Sequence, residues 1–412
     1  MSENVPSLPF LPDPGTLPRL GQRLQQTWAF ALAMDRLARR SDVWVAETPD
    51  ERAALQRLRL EVYGREQGDA GGRVVGDRFV VAGDELPSAL FIGCGPRTAP
   101  TGTVTVHTWG PGEVPADYAR DHGLHRFEGI ETLRVAHVGH LMMHRSLRGS
   151  RASLGFIIGA MEVAARASRP DVLFAHAAPG LLARYRRLGF RTFGAPAFGS
   201  TRGIELPLAF VPEPGWLRRS ACLWAPVVLR LVREGVLAAA DPALLAPFAT
   251  PAVGATPEAL RQLWIQAGGH ALAGLGPELA GLVLQRSVGL TVGTGVPLKV
   301  EGFVSADLQL VIAGEVQVEQ GGRVLGRCGP GALIGLAAWA EGHGRQALTV
   351  RAVQPTTLIN VRGGSLRRLL QSAPRLAAEW AAVVGGPDAL AAWCGPAPAP
   401  VGPRDPAERA SA

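Results

Sequence analysis

Between Asp42 and Asp69 the chain changes hydrophobic rhythm. "DVWVA" alternates as a strand does, and "ETPDERAALQRLRLEVYGREQGD" then places Leu55, Leu58 and Val62 on one helical face, with Asp50 as the expected N-cap. Strand patterns follow at "RFVVAG", "ALFIGCG", "GTVTVHTW" and "TLRVAHVGHLMM". A long helical pattern begins after Ser150, then come the strand "DVLFAHA", the short helix "GLLARYRRLGF" and a closing strand "GIELPLAF". Strands alternating with a few helices predict an α/β (α+β) domain over residues 41–212, preceded by a Pro-rich arm and helix at 1–40. Residues 213–268 are helical with Pro punctuation and read as a connector. From 269 short β-branched runs separated by glycine turns, such as "LQLVIAGEVQVEQGGRVLG", predict an all-β domain closed by a helix and ending near 385. Residues 386–412 are Pro/Ala-rich and read as a disordered tail.

The length of 412 residues accommodates two full cores, and 47% apolar against 19% charged residues is a globular balance. The net charge of +7 is carried almost wholly by arginine, Lys299 being the one lysine. That excess favours an acidic partner, a phosphorylated cofactor or an acidic carrier protein, over nucleic acid, for which no helix-turn-helix pattern is present. Cys94, Cys222, Cys328 and Cys394 lie far apart without a C-x-x-C pair, which points to a reducing compartment and away from a zinc site. No secretory leader and no apolar run of about 20 residues is visible, so a cytoplasmic protein without a transmembrane span is expected.

The chemistry concentrates in "HLMMHRSLRGSRASLGFIIGAMEVAARA", starting at His140. Arg145, Arg148 and Arg151 crowd the start of a helix, where cations oppose the macrodipole. An anion, most simply a phosphate, reverses that penalty and uses the unpaired amides of the helix start. His137, His140 and His144 do not form a metal site on a strand, because His137 and His140 point to opposite sides. No metal is expected, and His140 is read as a proton relay.

Four pieces in order, "LRLEVYGREQG" at 58–68, "ETLRVA" at 131–136, "HRSLRGSRAS" at 144–153 and "LLARYRRLGFR" at 181–191, resemble acyltransferases of the GNAT superfamily, near the autoinducer synthases and N-acyl amino acid synthases. The resemblance implies transfer of an acyl group from acyl-CoA or acyl-carrier protein to an amine or amino acid. It implies a donor-phosphate loop at Arg148, Gly149, Ser150, Arg151, Ala152 and Ser153, with Met142 and Met143 completing the donor site at the end of the preceding strand. Arg151 and Ser153 depart from the small residues of that loop, which fits an acidic carrier protein better than coenzyme A in its usual pose. In chemical terms the amine must lose a proton and the departing thiolate must gain one. Glu131, with Arg134 as its partner or as a substrate-carboxylate clamp, is the carboxylate expected to take part. Tyr185 stands where the family holds a general acid beside the sulfur. A surface Glu–Arg pair and a packed tyrosine are the plainer readings of the same residues.

Residues 269–385 resemble a cyclic nucleotide-binding domain, a β-roll with terminal helices, through "VIAGEVQV" and "CGPGALIG". The implied pocket comprises Gly335, Leu336, Arg345, Gln346 and Ala347. Leu336 stands where the family has a glutamate for the ribose hydroxyl. Loss of that charged hydrogen bond costs about 1.5–3 kcal/mol, so a degenerate domain is expected, serving docking or homodimerisation, with cyclic nucleotide a doubtful ligand. The competing reading of the whole chain is a non-catalytic interaction protein that keeps both folds.

Overall fold

Strand "GTVTVHTW" is covered on both faces and lies inside a seven-stranded sheet, next to its central strand. The computed structural model describes residues 17–69, 71–220, 222–249 and 257–385. The chain divides into two compact units. The described part of the first comprises residues 17–198 and 205–249, and that of the second 199–204 and 257–385.

In the first unit, helix α1 (Leu17–Ala38) leads to β1 (Val43–Val45) and α2 (Pro49–Arg59), which continues as a π-helical stretch over Leu60–Gln67. The cap of α2 is Thr48 rather than the expected Asp50. Its hydroxyl accepts from the Glu51 amide while the Glu51 carboxylate reaches back to the Thr48 amide, so both first-turn donors are satisfied. A small hairpin, β2 (Arg73–Val75) and β3 (Arg78–Val80), precedes β4 (Ala89–Cys94) and β5 (Gly102–Trp109). Helix α3 (Ala116–Asp121) leads to β6 (Val135–Met143), α4 (Arg151–Ser168), β7 (Val172–Ala177), α5 (Leu182–Leu188), β8 (Phe198–Ser200) and β9 (Gly203–Phe210). The sheet order is β1-β4-β5-β6-β7-β9-β8, and the β6–β7 pair is the parallel one.

Alternation divides the side chains of the sheet between two faces. Thr105, His107 and Trp109 of β5 face α2, whose Arg59 reaches Thr105. The other face carries α4, which packs on α1, β1, β4 and β5. Residues 213–249, expected as part of a connector, belong to this first unit. Their helices α6 (Pro214–Ser220) and α7 (Ala225–Arg233) bury Leu217, Trp224, Val227, Val228 and Leu231, and Trp224 packs edge-on against Phe190 and Phe210. A segment with that much buried apolar surface is core rather than linker. The expected tail 386–412 and the arm before residue 17 lie outside the described residues.

The second unit begins with α8 (Pro257–Gln266) and α9 (Pro277–Leu284). Strands β10 (Ser287–Val292), β11 (Pro297–Lys299), β12 (Leu308–Ala313), β13 (Val316–Gln320), β14 (Arg323–Cys328) and β15 (Leu333–Ile334) follow. Helix α10 (Leu336–Ala340), β16 (Thr349–Ala352), β17 (Thr356–Val361), α11 (Gly363–Ser372) and α12 (Pro374–Val384) complete it. Two four-stranded sheets, β10-β17-β12-β15 and β11-β16-β13-β14, make the roll, and the helices seal its core through Leu260, Leu279, Leu366 and Trp380. The expected fold class, an α/β unit followed by a β-roll with flanking helices, is the one observed.

Candidate acyl-transfer site

Strands β6 and β7 hold together over only four residue pairs, Val135–Val172 to Val138–Ala175, although β6 runs on to Met143. Beyond Val138 the β6 edge therefore leaves the parallel ladder. A bulge falls at the same place: on the β5 side the register skips between Thr103 and Thr105 while β6 advances from Met142 to Gly139, and His140 adopts φ 53. A bulge re-aims side chains and ends pairing, so β6 changes course at His140, just past the point where its ladder with β7 stops.

At the far end of β6 the chain enters α4 through residues 144–150. Gly149 takes φ 75, which a side chain would resist, and Ser150 caps the helix by accepting from the Ser153 amide at 3.2 Å. The Ser150 hydroxyl in turn donates to the Leu147 carbonyl at 2.6 Å, and the Ser153 hydroxyl to the Ser150 carbonyl at 2.7 Å. Arg145, Arg151 and Ala152 are exposed at this helix start. Arg148 is committed differently from the sequence-based expectation. Its Nε donates to the Met143 carbonyl at 2.8 Å and its guanidinium pairs with Glu66 at 2.6 Å. It braces the loop while remaining partly exposed. Met142 is buried with Tyr63 and Phe79, whereas Met143 offers its carbonyl to Arg148. His144 lies 3.3 Å from Glu61 and helps line a cleft of about 460 Å³ between α2 and the β4–β5 turn.

Glu131, expected at the start of a strand, sits exposed on a 3-10 turn, Ile130–Thr132, ahead of β6. The nine residues of β6 separate it from the loop by roughly 30 Å. Arg134 does not clamp it: its amide donates to Asp171 at 2.8 Å and its guanidinium to the Ser168 carbonyl at 3.4 Å, tying β6 to the end of α4. Tyr185 is half-buried on α5 with its ring edge-on to Phe190, 5.5 Å away, on the α4 face with Phe210 and Trp224. The neighbours of Glu131, Ile130 and Leu133, pack on the other face against the Phe127 cluster. The structure does not bring Glu131 and Tyr185 together. His140 is on the bulge, edge-on to Tyr63.

On the α2 face the structure assembles polar residues that sequence reasoning did not connect. Arg59 is fully buried and pairs with Asp84 at 2.7 Å, while Gln56 donates to Asp84 and Arg59 donates to Thr105. Next to them His107 and His137 are direct cross-strand partners with stacked rings 6.5 Å apart. His137 lies 4.7 Å, ring to ring, from His176 of β7, and His122 lies 3.9 Å from His176. His176 Nδ1 is 3.8 Å from the buried Glu205 carboxylate of β9. Burial holds His107 below the usual imidazole range against the opposing pull of Asp84, and lifts the Tyr118 phenol well above its own. The available signal was only the alternation that puts 105, 107 and 109 on one face; the other members come from elements far along the chain. Among the described residues no group of three or more His, Cys, Asp or Glu has the geometry to hold a metal.

In the second unit the pocket residues part company. Leu336 is buried at the start of α10, while Arg345 is exposed and donates to the Gly302 carbonyl at 2.6 Å. Gln346 turns inward and donates to the Ser305 and Gly344 carbonyls, and Ala347 is exposed. Lys299 is buried beside Gly335, its ammonium donating to the Asp307 carbonyl at 2.6 Å and the Ser305 hydroxyl at 3.1 Å. Asp307 accepts from Asn360, which accepts from Gln309, so these polar side chains bond to one another behind the expected pocket. Cys94, Cys222 and Cys328 are free thiols, and Cys394 lies outside the described residues.

No family model matches the chain, and no curated protein matches it. Solved structures do. The first unit is similar to an N-acyl amino acid synthase. That structure, FeeM from uncultured soil microbes, is 24% identical, with 45% of this chain and 97% of that chain covered at a TM-score of 0.35. Similar to the β-roll are a cyclic nucleotide-binding domain from Methylobacillus flagellatus KT (20% identical, 33% of this chain and 78% of that chain, TM-score 0.27) and the Thermus thermophilus catabolite activator protein (28% identical, 28% and 55%, TM-score 0.24). Both resemblances drawn from the sequence thus have counterparts among solved structures. Among the described residues no helix is long and apolar enough to cross a membrane.

Proposed function

We propose that the chain is an N-acyltransferase that moves an acyl group from a phosphopantetheine thioester, on coenzyme A or an acidic acyl-carrier protein, to an amine or amino acid. The observation that carries this reading is the early parting of β6 from β7, with the bulge at His140 and the capped start of α4 at the end of the same strand. A pantetheine arm is an amide-bearing chain that can pair with a strand edge, and its phosphate then meets the helix start. The exposed Arg145 and Arg151 add positive charge there, which suits an acidic carrier. Tyr185, on the helix after β7, is the group proposed to protonate the departing sulfur. Glu131 is too far from the loop to share that step directly, so its place is toward the acceptor or on the surface. The β-roll, with its ribose-side glutamate replaced by Leu336 and Arg345 of the implied pocket exposed on the Gly302 carbonyl, is assigned to docking, self-association or regulation rather than nucleotide capture.

The test is thiol release from acyl-CoA or acyl-carrier protein in the presence of an amine and amino acid panel. Release that needs the amine and weakens in Arg148→Ala supports the reading. The competing reading, a partner-binding protein without catalysis, draws on the pairing of Arg148 with Glu66, which occupies the loop's arginine. No thiol release with any donor would decide for it.

A further inference from the structure

The row on the α2 face combines four imidazoles, a phenol and a carboxylate in a largely apolar surrounding. His107 comes from β5, His137 from β6, His176 from β7, Glu205 from β9, and Tyr118 and His122 from α3 and its C-cap. His137 is at the centre. His176 is 4.7 Å from it, Tyr118 5.4 Å, His122 6.0 Å and His107 6.5 Å, ring to ring. Trp109 and Phe198 close the group at its ends. Two observations give the row a direction. A Cβ placed on Gly139 would stand 3.2 Å from His137 Cε1, so the ring lies along β6 toward the bulge and the parted strand edge. The Tyr118 hydroxyl and His107 Nδ1, both buried, have no hydrogen-bond partner among the described residues. Buried polar atoms of this kind are where a water or a polar ligand group is held.

Resting on the acyl-transfer reading, we propose that His137 is the general base for the acceptor amine, with His176 and Glu205 as positioning residues that hold and stabilise its protonated form. The acceptor enters as an ammonium. His137 takes one proton from it, the freed nitrogen lone pair attacks the thioester carbon, and an N–C bond forms. The C–S bond then breaks, the sulfur keeps the bonding pair, and the thiolate takes one proton from Tyr185, which meets the sulfur from the α4 face where β6 and β7 part while His137 meets the amine from the α2 face. The second proton lost by the nitrogen passes through His137 to solvent, and solvent restores Tyr185. Ammonium and thioester thus give amide, thiol and one released proton. Glu205, 3.8 Å from His176, supplies the negative charge that favours a cation on the imidazole pair.

The experiment compares wild type with His137→Gln, His176→Asn and Glu205→Gln in amine-dependent thiol release from acyl-CoA between about pH 6 and 10, with a melting curve of each. His137→Gln is expected to lose about a hundredfold near neutral pH, the gap closing toward pH 10 where the amine deprotonates unaided. Glu205→Gln is expected to move the acid limb of the pH profile to lower pH, because removing its charge weakens the imidazolium; a change of packing alone would leave that limb in place. If His137→Gln does not fold, the Glu205→Gln profile decides. Wild-type release together with a His137→Gln rate within about twofold at every pH, or an unmoved limb in Glu205→Gln, overturns the inference and leaves acyl transfer standing. Wild-type silence with every donor removes both.

Discussion

The guanidinium of Arg148 lies 2.6 Å from the Glu66 carboxylate, tying the loop before α4 to the end of the π-helical stretch after α2. The pair joins the donor side of the proposed site to the helix that covers the α2 face. Both side chains are partly exposed, 43% and 30%, so the ion pair itself contributes about 0–1 kcal/mol. Glu66→Gln is therefore expected to leave the melting temperature within a few degrees. Arg148→Ala also loses the bond to the Met143 carbonyl and should raise the donor KM about tenfold. Equal donor KM values for Arg148→Ala and wild type would remove Arg148 from loop bracing.

Arg59 and Asp84 form a different kind of pair. Both side chains are almost completely out of water; Gln56 and the Val81 amide also donate to Asp84, and Arg59 donates to Thr105. Removing one partner strands a buried charge and costs about 3–5 kcal/mol. Asp84→Ala should fall in that range by urea unfolding. Arg59→Met combined with Asp84→Leu, which removes both charges, should cost clearly less than the single change, and an equal or larger loss would show that shape rather than charge dominates.

Lys299 is fully buried, and desolvation lowers its pKa from the usual lysine range to about 8, with Asp307 opposing the shift. The folded state thus binds its proton less tightly than the unfolded chain does. Below about pH 8 the whole penalty is present; it is relieved as pH rises from 8 toward the unfolded value. The gain is on the order of 3 kcal/mol. Calorimetry from pH 7 to 10.5 should show the wild type gaining stability relative to Lys299→Met, and parallel pH curves for the two proteins would refute it.

Millimolar cyclic AMP or cyclic GMP is expected to leave the melting curve unmoved. Leu336 cannot accept from a ribose hydroxyl and the Arg345 guanidinium is held outside by Gly302. A nucleotide at a hundred times its Kd would add about 2.7 kcal/mol, so a clear upward shift would restore the nucleotide-binding reading.

Local signals were legible wherever the physics is local. The capped start of α4 follows from Ser150, Gly149 and the apolar spacing after them, and the turns of the β-roll from glycines between β-branched runs, because caps and turns depend on residues within a few positions. The α2 cap was misplaced by two residues for a similarly local reason: Thr48 and Asp50 both suit the role, and only the reciprocal bond with Glu51 decides. Residues 213–249 read as a connector because their prolines interrupt the pattern, while the burial of Trp224 depends on Phe190 and Phe210, and that of α7 on its packing against α1 and α4.

By itself, then, the sequence determined the two fold classes, the position of the helix start behind the arginine-rich loop, and the loss of the ribose-side glutamate at Leu336. Tertiary structure alone decided which charges are spent internally, Arg148 on Glu66 and Lys299 on Asp307, and which groups meet. His107, His137, His176 and Glu205 are about thirty or more residues apart in the chain, and strand register places them in one row. Register is set by how whole strands bury their apolar faces, a sum over many distant residues that no short motif carries.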